Sequence, residues 1–118
     1  MKKQTTLLFI CDDKVVCNLY PPLFERDGYK VIVTTVSDHA LITAIAVKPD
    51  IIILVQNTPD DDGYKLITNL RNNPKCNHIH ITMVCGDMTD DIETKAISLG
   101  CNQILDIRNI LSTSDFFK

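Results

Sequence analysis

Cys76, His78 and His80 form a C-x-H-x-H string. On an extended strand the two histidines would share one side, as metal ligands can. Only three ligands are local, so the string reads as a loop running onto a strand edge. Asp60, Asp61 and Asp62 stand directly ahead of Gly63, the composition of a solvated acidic turn. Asp12 and Asp13 close an apolar run, where an acid can cap the helix that follows. The cysteines Cys11, Cys17, Cys76, Cys85 and Cys101 contain no C-x-x-C pair, and their number, 5, is odd. That usage fits reduced intracellular thiols filling a core better than a disulfide framework. Cys85 could be a redox-sensitive thiol, but no basic neighbour that would lower its pKa is identifiable, and buried packing is its simpler reading. No Ser-His-Asp set or glycine-rich nucleotide loop is visible, so an enzyme in its own right is not expected.

The elements that must position these residues follow from hydrophobic period. Five short apolar runs, LLFIC (7 to 11), KVIVTT (30 to 35), DIIILVQ (50 to 56), IHITMVC (79 to 85) and QILDI (103 to 107), alternate with segments of helical period. Gly, Pro, Asp or Asn punctuates almost every junction, the pattern of repeated βα units and a parallel sheet. The third run is continuously apolar and β-branched, as expected of a central strand covered on both faces. Ser37 is placed to cap a helix carrying Leu41, Ala44 and Ile45. Tyr64, Ile67 and Leu70 give the next helix one apolar stripe, and Ile92, Ala96 and Leu99 repeat the spacing with Gly100 as the stop. Pro21 and Pro22 fall inside the segment from Val15 to Arg26, which predicts a kink, a break or a second helix starting at Pro21.

The 118 residues fit one domain, with a core over about 6 to 107 and a tail, 108 to 118, too short for a full fifth helix. A single turn holding Phe116 and Phe117, capped by Ser112 or Ser114, is the most this tail predicts. One flank of the sheet should then be thinly covered, which favours a partner, self-association or sequence downstream of a fragment. The net charge of -3 and pI near 5.4 provide no broad positive field for nucleic acid or anionic lipid. No apolar run reaches the roughly 20 residues that cross a bilayer, and the Met-Lys-Lys start leads straight into the first strand. A cytoplasmic protein with neither a nucleic-acid nor a membrane partner is expected.

Three stretches together resemble the receiver domain of two-component response regulators: LLFICDD (7 to 13), PDIIILVQNTPDDDGY (49 to 64) and SLGCNQIL (98 to 105). Their order and separation agree with that family, in register with five βα periods. The resemblance implies a flavodoxin-like, doubly wound five-stranded sheet in the order 2-1-3-4-5, its site at the carboxyl ends of the strands. It also implies that Asp12 and Asp13 are the paired acids that hold magnesium. The phosphate-accepting aspartate should stand six residues after Pro49, and that position is Val55. Cys85 replaces the family's hydroxyl residue, Ile107 its lysine, Arg108 the proline that is usually cis, and Ile104 the aromatic switch residue. A carboxylate is needed to form an acyl phosphate, and an isopropyl group has no oxygen to offer. Losing carboxylate and lysine together is coherent, because either charge alone would be costly to bury.

The sequence therefore predicts a degenerate receiver that works without phosphorylation, docking to another protein or its own copy through the fourth helix and fifth strand. No cofactor is expected beyond weak magnesium at Asp12 and Asp13. Two other readings stay open. One is a phosphorelay acceptor using Asp13 or one of Asp60, Asp61 and Asp62; the other is a small-ligand sensor using the apolar pocket of Val55 and Ile107.

Overall fold

Strand formation follows the five apolar runs closely. The computed structural model describes residues 4–117 and forms β1 (Thr6–Cys11), β2 (Lys30–Thr34), β3 (Ile51–Gln56), β4 (His80–Cys85) and β5 (Gln103–Asp106). Helices α1 (Lys14–Arg26), α2 (Asp38–Val47), α3 (Asp61–Asn72) and α4 (Asp90–Leu99) connect them, and two 3₁₀ turns, Ile107–Asn109 and Thr113–Phe117, follow β5. The strands pair in parallel in the order β2-β1-β3-β4-β5, as expected. The direction in which successive strands are added reverses between β1 and β3, and their carboxyl ends define the switch point at which such folds place their sites.

Because successive side chains on a strand point to opposite faces, the apolar runs fill two cores. Leu8, Ile10, Ile52, Leu54, Ile81 and Met83 pack under α2, α3 and α4 with Ala40, Ala44, Ile67, Leu70 and Ala96. Leu7, Phe9, Ile53, Val55 and Val84 pack on the other face with Phe24 of α1 and Phe116 of the tail. The thinly covered flank is thus partly closed by aromatic packing. Phe116 is fully buried, edge-on to Tyr20 and Phe24 at 5.4 and 5.0 Å. Asp115, within the turn that carries it, holds the chain leading in by accepting the amides of Leu111 and Ser112 at Oδ2, while the hydroxyls of Ser112 and Ser114 pair with each other at 2.8 Å.

Three local expectations are corrected. Helix α1 runs unbroken through Pro21 and Pro22. Interior proline costs about 3 kcal/mol or more, but Pro21 and Phe24 are buried against the sheet, and most helix stability comes from such packing. Ser37 sits at the N-cap of α2 without a side-chain cap bond; its hydroxyl pairs with Thr35 Oγ1 at 3.5 Å. The cysteines are not all reduced: Cys11 and Cys17 form a disulfide, while Cys76, Cys85 and Cys101 are buried free thiols. A six-residue spacing is no recognised motif, but the step from a strand end into a helix brings their Cα atoms to 6.1 Å, within the range a disulfide spans.

The opposite end of the sheet is tied by Arg71 of α3. Its guanidinium donates to the carbonyls of Gly100 (2.8 Å), Asn77 (3.1 Å) and Ile79 (2.7 Å) and to Asn102 Oδ1 (2.8 Å). Gly100 ends α4 at φ 116°, and a Cβ there would lie 2.6 Å from Arg71 Cγ. Both left-handed geometry and close approach therefore demand glycine.

Candidate functional site

The carboxyl ends of the strands collect the residues that the sequence singled out. Asp13 starts α1, its Oδ1 accepting the amides of Val15 at 2.8 Å and Val16 at 3.2 Å. Asp12 reaches towards the loop after β2 and accepts the amide of Val36 at 2.9 Å. Both acids thus serve backbone donors that would otherwise lack a partner at the start of α1 or in the loop.

Val55 lies one strand away, with Cys11 beside it on β1 and Val84 on β4, and it is only 5% exposed. With Asp13, Val16, Asn57, Cys85, Gly86 and Ile107 it lines a cavity of about 170 Å³. The fold therefore gathers Asp13, Val55, Cys85 and Ile107 in one place, although they are far apart in the chain. Gly86 permits this closeness: its amide donates to the Asn57 carbonyl at 2.9 Å, and a Cβ would lie 2.3 Å from Asn57 Oδ1. Burial, reinforced by the carboxylates of Asp106 and Asp87, pushes the Cys85 thiol up, so it is a neutral packing group.

A hard cation such as magnesium takes near-octahedral oxygen coordination. The donor set here does not fit one as a resident group. One oxygen of each carboxylate, Oδ1, accepts backbone amides, and Val55 presents methyl groups where a third acidic oxygen would be needed.

Other predicted positions lie outside the cavity. Asp60 caps α3: its Oδ1 accepts the Gly63 amide at 3.1 Å and Gln56 Nε2 at 3.0 Å. The Gln56 bond, followed by the Gly63 amide, holds its carboxyl below the usual value. Asp61 and Asp62 are exposed in the first turn of α3. His80 begins β4, at the end of the sheet away from Cys85, and its Nε2 meets Thr82 Oγ1 at 3.2 Å. Among the described residues, no three His, Cys, Asp or Glu side chains are arranged to hold a metal ion.

One constellation escaped the sequence reading. Arg108 binds Asp106 through Nε–Oδ1 at 3.0 Å and Nη2–Oδ2 at 2.6 Å, and reaches Asp87 with Nη1 at 3.1 Å. Asp106 also accepts the amides of Arg108 at 2.9 Å and Met88 at 3.2 Å. The Arg108 side chain first, then its backbone amide, holds the Asp106 carboxyl well below the carboxylate range. Arg108 thus bridges the end of β5 to the turn after β4, where Asp87 sits at φ 47°. The Asp-x-Arg spacing at 106 and 108 was its only sequence signal. No cis peptide bond occurs at Arg108 or elsewhere among the described residues, as expected once proline is gone.

Comparison with known proteins agrees with this fold. The sequence model of the response regulator receiver domain matches residues 7–106. The KDP operon transcriptional regulatory protein KdpE of Escherichia coli K12 is 33% identical over 68 residues, covering 58% of this chain and 30% of that protein. The chain thus spans less than a third of that relative's length. Among solved structures, a response regulator from Chloroflexus aurantiacus superposes with TM-score 0.79 at 26% identity, covering 90% of this chain and 87% of that one. The chemotaxis response regulator CheY4 of Vibrio cholerae gives TM-score 0.78 at 18% identity over 86% and 85% of the two chains, a likeness of fold alone. No helix among the described residues is long and apolar enough to cross a membrane.

Proposed function

Because the chain belongs to the response regulator receiver domain family, we propose that it is a degenerate member of that family, a signalling module that acts by docking to protein without being phosphorylated. The observation that carries this reading is Val55, 5% exposed and walled in with Ile107 and Cys85. Acyl-phosphate formation needs a carboxylate oxygen as nucleophile, and the side chain at this position is saturated hydrocarbon. The substitute acids are poorly placed. Asp13 and Asp60 each cap a helix, so modifying either would free backbone amides. Asp61 and Asp62 stand on the exposed first turn of α3, away from the cavity. No resident magnesium is part of this proposal.

Docking is assigned to the face of α4 and β5, where Ile97 is a large apolar side chain 46% exposed. The partner is a protein or a second copy, not nucleic acid or membrane. A cytoplasmic location belongs to the same proposal. The Cys11–Cys17 bond runs against the rarity of disulfides there, and the mass of the unreduced protein, trapped at lysis, decides the point.

The test is incubation with acetyl phosphate and magnesium, followed by intact-mass measurement. No mass gain is expected. A gain of one phosphoryl group that disappears in Asp13→Asn, Asp60→Asn, Asp61→Asn or Asp62→Asn would overturn the proposal in favour of a non-standard acceptor.

A further inference from the structure

The cavity beside Val55 stands in an unusual electrostatic setting. Most of the 15 acidic residues lie at the same end of the molecule, where strands finish and helices begin. Asp12, Asp13, Asp61, Asp62, Asp90 and Asp91 are all exposed there. Their place at helix starts is explained locally by the helix dipole, but their fields add. Lys14 and Lys65 lie at this end, and Arg108 is already engaged by Asp106 and Asp87.

The cavity is lined by four apolar side chains, Val16, Val55, Cys85 and Ile107, together with Asp13, Asn57 and Gly86. Its volume of about 170 Å³ is close to the roughly 150 Å³ that holds a benzene molecule. It falls below the roughly 300 Å³ at which pockets for drug-sized ligands begin. It is therefore sized for one apolar side chain. Val15 is 72% exposed next to it in sequence, and Leu19, one helical turn further along α1, is 53% exposed. Val15 and Leu19 share a face of α1, the helix whose Val16 lines the cavity.

We infer that this end of the molecule docks a Lys/Arg-rich segment of a partner protein, with one leucine- or phenylalanine-sized side chain of that segment seated between Val55 and Ile107. Charge complementarity with the acidic rim selects the flanking residues and speeds encounter. The apolar cavity selects the anchor, as buried side chains do at interface hot spots. The inference goes beyond the α4 and β5 docking face by adding a second surface at the carboxyl end of the sheet, and it rests on the proposal that this site carries no phosphoryl group.

The probes are four peptides: three with Lys/Arg flanks and a central Phe, Leu or Ala, and one with Glu flanks and a central Phe. Each is titrated into the ¹⁵N-labelled protein while amide shifts are followed. The Phe or Leu peptide should shift Val55, Gly86 and Ile107 and bind at least about tenfold more tightly than the Ala peptide, which corresponds to about 1.4 kcal/mol. Added salt should weaken binding, and the Glu-flanked peptide should not bind. Val55→Phe or Val16→Phe, whichever keeps a native amide spectrum, should fill the cavity and abolish the advantage of the anchor. Equal affinity for all three basic peptides, shifts confined to another face, or equal binding of the Glu-flanked peptide would overturn the inference. Phosphoryl transfer, by contrast, is read by mass in the absence of peptide, so failure of either idea is recognised separately.

Discussion

Val55→Asp puts a carboxyl where receiver chemistry would need one and measures how hostile the site has become. Val55 is 5% exposed, flanked by Cys11 and Val84 and sharing its cavity with Asp13 and Ile107. Losing valine's buried methyl groups and burying a neutral carboxyl should cost about 2 kcal/mol. Below the ordinary carboxylate range near pH 4, that is nearly the whole penalty, because the new group is protonated in folded and unfolded chains alike. As pH rises, the unfolded chain ionises freely while the folded one holds its proton, since burial and nearby Asp13 raise its pKa. A rise of about 1.5 units adds about 2 kcal/mol at pH 7. With a urea m-value of about 2 kcal/mol/M, the midpoint should fall by about 1 M at about pH 3 and about 2 M at about pH 7, relative to the parent at each pH. Adding Ile107→Lys should restore most of the pH-dependent half and little of the rest, because its ammonium pairs only with the charged form. Equal deficits at both pH values, or shifts below about 0.5 M, would refute the description of the Val55 position as apolar and shielded from water.

Four further outcomes are expected. Gly63→Ala places a Cβ 1.9 Å from Gln56 Oε1, a buried atom with no hydrogen-bond partner; it should cost about 1–3 kcal/mol, and less on top of Gln56→Ala than in the parent when urea midpoints are compared. Arg71→Ala should cost about 2–4 kcal/mol by removing the guanidinium donor from three carbonyls and leaving Asn102 Oδ1 only the Ile81 amide, with Arg71→Lys restoring only part in the same assay. In the parent, Asp106 stays ionised through mild acid, so the Met88 amide should remain protected from hydrogen exchange there. In Arg108→Ala that protection should fade as pH drops through about 4, because Asp106 regains an ordinary pKa. Under native, unreduced conditions no cysteine should alkylate, with burial pushing Cys101 up to about 12; after reduction, half-buried Cys17 should react first, as peptide mapping would show.

The positions Val55, Cys85 and Ile107 were legible because a family pattern was aligned by residue count, and counting needs no coordinates. What they form together was not legible. The cavity exists because the ends of β1, β3 and β4 lie side by side, and because Gly86 lets Asn57 approach its backbone. The Arg108 bridge had no comparable signal: Asp87 and Asp106 are distant in sequence and meet only through adjacent strand ends.

Period and side-chain identity are local properties, so the five strands, their βα rhythm and the lack of an acidic oxygen at Val55 follow from residue order alone. Tertiary structure decided that α1 continues through Pro21 and Pro22, that Cys11 bonds Cys17, and that the tail's Phe116 closes on Phe24. Each of those outcomes depends on packing or proximity across the fold, where burial outweighs a local propensity or a short turn brings two atoms within bonding reach.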